Sequence, residues 1–378
     1  MSRRANGEGT VYRRKDGRWV GAHYVLRPDG GRERRPVYGR TRAEASAKLA
    51  ELVAKTAAGV PLAVKSWTVQ AYAEHWLDDV VAERLRPSTL ASYRDTMRLH
   101  IWPTLGRCPL RALTPAHVRK LLAAKSASGL SVRSVQIIHA VLRVMLAESV
   151  RDELVERNVA VIMRAPSGPR EEVRPWSPDE ANAFLAASGG DRLHALFAVG
   201  VALGLRRGEL LGLRWSDVDL DGGLLHVRQS TQRIYRAGLV VGPPKTPRSR
   251  RDIPLPAVTV KVLREHRSRQ AAERLAMGPY WQYSGLVFTS TIGTSLEPRN
   301  VARVLDGLIN KAGVRRIRFH DLRHTCASLL LAQDVPPRVV MDVLGHSQLS
   351  ITMDLYSHVM PSALREAAAA IDRALGSP

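Results

Sequence analysis

Six residues in the second half of the chain carry the side chains that phosphodiester transfer to a phenol requires. They are Arg206, Lys245, His320, Arg323, His346 and Tyr356. The non-bridging oxygens of a reacting phosphate need positive charge, the attacking oxygen must lose a proton, and the leaving oxygen must gain one. Arginine meets the first need because its planar fork grips phosphate oxygens without losing its charge. The set therefore predicts strand transfer on DNA through a covalent tyrosyl intermediate, with no metal ion or other cofactor.

Glycines and prolines indicate how the chain presents Arg206 and Lys245. Arg206 follows the sequence Leu-Gly-Leu at residues 203–205, where the glycine allows a helix to end, and a second helix begins just after it. We therefore expect Arg206 at a helix junction, where backbone N–H groups also favour anions. Lys245 lies in the turn-rich residues 242–248, between two short predicted strands. A lysine at such a loop tip is well suited to be the general acid for the leaving oxygen.

The remaining site residues lie on predicted helices or directly after one. Arg323 comes three residues after His320, so on a helix the two side chains share a face. Gly345 is suited to end a helix, which would place His346 at the entry to the next segment. Tyr356 follows ten residues later. A phenol has a reference pKa of about 10, so it is a weak nucleophile at neutral pH unless cations surround it.

Taken one at a time, these residues have ordinary structural explanations. Arg206 alone could form a helix-end salt bridge with Glu209. The pair His320 and Arg323 could pack or bridge to Asp321. A lone loop lysine is usually solvated, and a lone tyrosine usually belongs to a core or a surface. The combination favours catalysis, because several short patterns would otherwise have to occur in this order by accident.

Five motifs in this order resemble those of the tyrosine recombinases of the phage-integrase family. The matching segments are residues 203–210 (LGLRRGEL), 244–246 (PKT), 320–325 (HDLRHT), 344–347 (LGHS) and 354–358 (DLYSH). The resemblance implies that the two arginines clamp the phosphate and that the two histidines orient it and assist proton transfer. It also implies that the lysine is the general acid and that the tyrosine forms the 3′-phosphotyrosine. Glu209 and His324 match the motifs but would support these groups.

Residues 1–58 predict a small domain with a three-stranded sheet followed by a helix. An Asp-Gly pair at residues 16–17 suits a hairpin turn, and Thr41 suits a helix start. Residues 1–60 carry 14 basic and 6 acidic side chains. A basic sheet with interleaved Tyr12 and Trp19 fits DNA contact, although a solvated charged face is the alternative. The segment resembles the arm-site DNA-binding domain of integrases.

The rest of the chain predicts two further domains, giving a multidomain, mainly α fold. Residues 66–163 predict four helices, with start signals at Arg86-Pro87, Thr114-Pro115 and Ser131. This segment resembles the helical core-site DNA-binding domain, and a plain helical bundle is the alternative. Residues 174–378 predict an α-rich catalytic domain with a small β-sheet, including strands at 224–227 and 251–255.

Composition limits the class of partner. Lysine and arginine outnumber acidic residues 57 to 35, which gives a net charge of +22. A protein this basic usually binds a polyanion, and double-stranded DNA is the first candidate. No stretch predicts a membrane span or a signal peptide, and the two cysteines lie far apart. We therefore expect a cytoplasmic protein that does not bind a metal or a membrane.

These observations predict a site-specific integrase that joins a mobile element to a chromosome. We expect double-stranded attachment sites as partners, a homotetramer at the synapse, and a possible excision factor or host DNA-bending protein. A housekeeping recombinase that resolves chromosome or plasmid dimers is one alternative, although that task needs no N-terminal block. A type IB topoisomerase would relax any supercoiled DNA. A non-catalytic DNA-binding regulator on the same scaffold would be unaffected by Tyr356→Phe.

Overall fold

Helices predominate along the chain, and short antiparallel sheets interrupt them. The computed structural model describes residues 10–26, 32–57, 67–168, 174–235, 237–244, 249–345 and 376. Contacts divide the chain into two units, residues 1–169 and 170–378. The mainly α, multidomain fold class is thereby confirmed. Within the described ranges no helix is long and apolar enough to cross a membrane.

The first unit begins with the predicted three-stranded sheet and helix. The sheet has the order β1-β2-β3 and is antiparallel throughout. Thr41 accepts a hydrogen bond at its Oγ1 from the backbone N–H of Glu44 (3.2 Å), which is the predicted helix start. Ala45 and Leu49 of α1 are buried where Gly21 of the sheet approaches the helix, and Val20 is buried as well. The elements are β1 (Thr10–Arg13), β2 (Trp19–Leu26), β3 (Arg32–Gly39) and α1 (Arg42–Ala57).

A helical bundle follows in the same unit. Its helices are α2 (Val69–His75), α3 (Pro87–Thr96), α4 (Trp102–Leu105), α5 (Pro115–Ala127) and α6 (Val132–Arg151). All three predicted start signals are confirmed, and the side chains of Thr114 and Ser131 cap α5 and α6. One π-helical turn extends α2 and another joins α3 to α4. These turns were not predicted, because one inserted residue leaves little trace in a pattern of period 3.6.

Among its described residues, the second unit contains seven helices and two small sheets. The helices are α7 (Pro178–Ser188), α8 (His194–Leu203), α9 (Arg207–Leu211), α10 (Ala257–Met277), α11 (Pro298–Ala312), α12 (Asp321–Leu331) and α13 (Pro337–Leu344). The strands are β4 (Val218–Asp219), β5 (Leu224–Val227), β6 (Ser230–Ile234), β7 (Gly238–Gly242) and β8 (Arg251–Pro254).

The two strands predicted for this unit are confirmed and pair with each other. β5 and β8 are antiparallel, with Leu225 opposite Ile253, and β4 completes their sheet. The hairpin of β6 and β7 between them was not predicted. Its strands are short, and the Pro- and Gly-rich stretch after residue 241 gives the stronger local signal, for a turn.

Helix α8 is the centre of the second unit. Nearly all of its residues are buried, and it packs against both α10 and α12. Trp176 contacts both α12 and the segment before it. Its backbone N–H donates to Thr325 Oγ1 in α12 (3.1 Å), and its indole Nε1 donates to the carbonyl of Arg315 (2.7 Å). The core therefore fixes the carboxyl end of α8 beside the beginnings of α9 and α12.

Helix α8 ends at Gly204, which must remain a glycine for two reasons. Its φ of +59° lies in the left-handed region, where a Cβ is disfavoured. A Cβ at this position would also lie 2.3 Å from Leu344 Cδ2 and 3.1 Å from Cys326 Cβ. The close approach lets the end of α8 contact both α12 and the end of α13.

We expect Gly204→Ala to destabilise the second unit by roughly 1–3 kcal/mol, from backbone strain plus the displacement of Leu344. Urea-induced unfolding would measure this. Gly307→Ala is the matched control, because Gly307 lies in α11 with nothing within 4 Å of an added Cβ. That change should stabilise the protein by about 0.5–1 kcal/mol. Equal stability of the two variants would contradict the packing described.

Candidate active site

The structure brings together the three predicted site residues that it describes. Arg206 Nη2 donates to the carbonyl of Gly345 (3.0 Å), and Arg323 Nη2 donates to the adjacent carbonyl of Leu344. The two guanidinium groups therefore hold neighbouring positions at the end of α13. His320 is the residue just before α12, three residues before Arg323. Lys245, His346 and Tyr356 lie outside the described residues, so their placement stays a prediction.

Arg206 occupies the predicted junction between α8 and α9. It is the residue just before α9 and has an extended backbone. Its Nη1 donates to Glu209 Oε1 (2.8 Å) and Ser249 Oγ (3.1 Å). Its side chain is 28% exposed. Within the part of the chain that the structure describes, Nε and the second N–H of Nη2 have no hydrogen-bond acceptor. Arg206 is thus held from one side and open on the other.

Glu209 is the acidic group that holds the site together. Its side chain is 1% exposed and accepts hydrogen bonds from the backbone N–H of Arg206 (3.0 Å), from the Arg206 guanidinium, and from Arg251 Nη2 (3.1 Å). Burial would raise the pKa of Glu209, but the positive charges of Arg251 and Arg206 outweigh it and keep the pKa below its usual range. The carboxylate therefore stays ionised. The predicted salt bridge between Arg206 and Glu209 is therefore present, and it orients the Arg206 guanidinium group.

Arg323 is almost fully enclosed, with 2% of the residue exposed. Its Nη1 donates to the carbonyl of Gly204 (2.8 Å), at the end of α8. Burial, together with the charges of Arg206 and Arg251, lowers the pKa of Arg323 to about 9. The group stays protonated at neutral pH. Asp321, the acid considered as a bridging partner, pairs with Arg318 (3.0 Å).

His320 and His324 lie together at the start of α12. Their rings meet edge to face, with 5.2 Å between centroids. Desolvation of the ring, together with the charges of His324 and Arg323, lowers the pKa of His320 to about 4. His324 Nδ1 is buried, with no hydrogen-bond partner among the described residues. His320 is thus a neutral imidazole at pH 7, able to donate at one nitrogen and accept at the other.

Arg251 is a member of this cluster that was not predicted. It begins β8, and its side chain is 7% exposed. The sequence could have indicated this role, because side chains in a strand alternate between its two faces. Arg251 therefore shares a face with Ile253 and Leu255, both of which are buried. A charged residue at an inward position of a strand requires buried partners.

The site has a clear electrostatic character. Three guanidinium groups (Arg206, Arg251 and Arg323) surround one buried carboxylate (Glu209). Backbone carbonyls, which carry no net charge, accept two hydrogen bonds from Arg251 and two from Arg323. Such a site favours a small anion, and phosphate oxygens match the guanidinium fork. No group of histidine, cysteine, aspartate or glutamate within the described ranges could hold a metal ion.

Two family descriptions match the chain. The one described as "Phage integrase family" matches residues 177–362, and the one described as "Phage integrase, N-terminal SAM-like domain" matches residues 68–125. The first span includes all six residues that the sequence predicts for the site. The second lies within the helical bundle of the first unit.

Two similar proteins align with most of the chain. An integrase of Streptomyces ambofaciens is 32% identical over 378 residues, which cover 98% of this chain and 97% of that protein. A tyrosine recombinase XerC-like protein of Caldanaerobacter subterraneus subsp. tengcongensis is 29% identical over 346 residues, 87% of this chain and 88% of its own. The fold resembles that of the Tn1549 transposon integrase in complex with a circular intermediate DNA, with a TM-score of 0.69, 19% identity, and coverage of 81% of this chain and 100% of that chain.

The imidazole of His320 should titrate near pH 4 in the folded chain and near 6.5 when unfolded. Because the folded-state pKa is the lower one, the unfolded chain binds the extra proton between these values. Stability contributed by the neutral ring is therefore present above about pH 6.5 and lost as the pH falls towards 4. Histidine resonances followed by NMR would give the midpoint, with His320→Gln identifying the signal. A midpoint at 6.5 in the folded chain would contradict the desolvation described.

Proposed function

This chain belongs to the phage integrase family, whose members are tyrosine site-specific recombinases, and we propose that it integrates or excises a mobile DNA element at an attachment site. The reaction proceeds through a 3′-phosphotyrosine at Tyr356. The observation that carries this proposal is the arrangement of Arg206. Glu209, Ser249 and Gly345 fix its guanidinium group, and among the described residues its Nε and one Nη2 N–H have no acceptor and can bind an anion.

Chain connectivity supports the assignment of Lys245 and His346, which lie outside the described ranges, to the same active site. A peptide bond joins His346 to Gly345, whose carbonyl accepts a hydrogen bond from Arg206. Ser249, which also accepts from Arg206, follows Lys245 by four residues. Four residues span at most about 14 Å of chain, so Lys245 lies within reach of the arginine cluster. Tyr356 lies ten residues beyond His346, and its approach to the same phosphate is part of the proposal.

The proposed reaction conserves the energy of the phosphodiester bond, because the broken bond is replaced by a phosphotyrosine bond. The Tyr356 hydroxyl attacks phosphorus, its proton passes to a neighbouring base, and the bond from phosphorus to the 5′ oxygen breaks. Lys245 gives a proton to that leaving oxygen. Arg206 and Arg323 balance the charge that develops on the non-bridging oxygens, the task for which preorganised cations are most effective. His320, neutral at pH 7, can accept a hydrogen bond from the phenol. The reverse reaction with a 5′ hydroxyl from another duplex completes the exchange.

The N-terminal sheet is the proposed arm-site DNA-binding surface, within a domain of residues 1–58. Helix α1 packs on one face of the sheet, at Gly21 and Leu49. Tyr12 and Tyr38 flank Val20 on the other face and are 43% and 45% exposed. The guanidinium of Arg34 lies 5.9 Å from the Tyr12 ring centroid. Exposed aromatic rings mixed with arginines are typical of surfaces that contact nucleic acid.

The helical segment of residues 66–163 is the proposed core-site domain, and residues 174–378 form the proposed catalytic domain. Four protomers would assemble at the synapse, and an excision factor or a host DNA-bending protein is a further candidate partner. The N-terminal sheet favours a mobile-element integrase over a housekeeping recombinase, as does the integrase of Streptomyces ambofaciens that matches over 97% of its own length. The XerC-like relative keeps the housekeeping function as the second candidate.

A nicked duplex carrying the boundary of the element that encodes the chain would test the chemistry. Because the strand beyond the nick diffuses away after cleavage, the covalent complex accumulates. In EDTA, the wild type should give a denaturation-resistant protein–DNA band, and Tyr356→Phe should give none. A band with both proteins, or DNA binding with no band from either, would contradict strand transfer by Tyr356. Relaxation of a supercoiled plasmid lacking the boundary sequence would instead indicate a topoisomerase.

On the same substrate, Arg206→Lys should slow covalent-complex formation by about a hundredfold or more, because a lysine cannot reproduce the fork held by Glu209 and Ser249. Arg207→Lys is the matched control, since Arg207 is exposed at the first position of α9. Its rate should stay within about threefold of the wild type. Equal losses in both variants would indicate general weakening of DNA binding in place of transition-state stabilisation.

A further inference from the structure

Arg251 contacts three separate parts of the second unit. Its Nε donates to the carbonyl of Val343 in the last turn of α13 (2.7 Å). Its Nη1 donates to the carbonyl of Ser249 (3.0 Å), and its Nη2 donates to Glu209 Oε2 (3.1 Å). Each of the three guanidinium nitrogens therefore has an acceptor on a different segment. Only a planar fork with donors on three nitrogens can make all three contacts at once.

Each of these segments leads directly to a residue of the proposed reaction. Glu209 orients Arg206. Ser249 follows Lys245 by four residues, and Val343 precedes His346 by three. Ser249 is itself shared, because its carbonyl accepts from Arg251 while its hydroxyl accepts from Arg206. A shift of Arg251 would thus move the support of Arg206 and the starting points of both neighbouring segments together.

A purely structural role accounts poorly for an arginine at this position. Burial lowers the pKa of Arg251, and repulsion from the charge of Arg206 lowers it too, although the Glu209 carboxylate acts in the opposite direction. Grouping guanidinium groups in a desolvated place costs stability, and replacement of buried ions by apolar side chains is often neutral or stabilising. This loss of stability is explained if the arginines must already hold fixed positions before an anion binds between them.

We propose that Arg251 is a positioning residue for strand transfer, which fixes the Arg206 side chain and the two segments leading to Lys245 and His346 in one arrangement. This inference rests on the proposed function of the site. Arg251 does not touch the phosphate, since its three nitrogens are directed at Val343, Ser249 and Glu209. Its effect on the reaction passes through the groups that it holds.

Arg251→Lys tests this role, because it keeps the charge and removes the fork. Arg250→Lys is the matched control, since Arg250 is the exposed neighbour one position earlier. With saturating full-length protein and the nicked duplex, Arg251→Lys should lower the single-turnover rate constant of covalent-complex formation by about a hundredfold. The affinity for DNA should stay within about threefold, because the net charge is unchanged. A structural defect would lower the reacting fraction and leave the rate constant of the remaining protein intact.

Hydrogen–deuterium exchange of the DNA-free chain gives a second readout that does not depend on cleavage. Arg251→Lys should increase exchange in peptides covering residues 249–254 and 339–345 together, while Arg250→Lys should leave both as in the wild type. Unchanged exchange in either peptide overturns the inference, whether or not a cleavage substrate has been found. Increased exchange with an unchanged rate constant also overturns it. Failure of the wild type to form any covalent complex would instead contradict the proposed function.

Discussion

The ion pairing of the buried Glu209 carboxylate with Arg206 and Arg251 is the interaction on which the second unit depends. One acid joins the start of α9 to the start of β8, two elements 42 residues apart in sequence. Without its charge, three guanidinium groups would face one another in a place that water scarcely reaches, and their repulsion would be uncompensated. With it, the cluster is stable while retaining an excess of positive charge. The same pairing thus supports the fold and holds together the arginines to which we assign phosphate binding.

The apolar core determines where that pairing can form. Helix α8 is buried on almost every side and ends at a left-handed glycine, whose small size lets α12 and α13 approach. Trp176 donates one hydrogen bond to Thr325 in α12 and another to the carbonyl of Arg315, in the segment that precedes α12. These contacts involve no catalytic side chain. They nevertheless determine the distance between Arg206 and Arg323, since the two arginines extend from elements that meet at this helix end.

The sequence could predict the parts of the site that follow from local rules. Gly204 predicted the helix junction, Gly345 predicted the end of α13, and the strands at residues 224–227 and 251–255 were predicted as well. The contacts of Arg251 could not be predicted, because they depend on which segments the tertiary fold brings together. The β6–β7 hairpin and the π-helical turns were missed because their local signals are weaker than those of the neighbouring turn and helix. The domain boundaries and the positions of Lys245, His346 and Tyr356 stay predictions.

At the end of α13, backbone carbonyls orient the guanidinium groups without neutralising their charge. The last carbonyls of a helix have no partner within the helix. Here the carbonyl of Leu344, the last residue of α13, accepts a hydrogen bond from Arg323, and that of the capping residue Gly345 accepts one from Arg206. A carbonyl dipole fixes the direction of a guanidinium group but cancels none of its formal charge. The resting site is therefore ordered in geometry and unbalanced in charge. A phosphate that enters it meets aligned donors at little reorganisation cost, and strong ionic screening should weaken its capture far more than it disturbs the site itself.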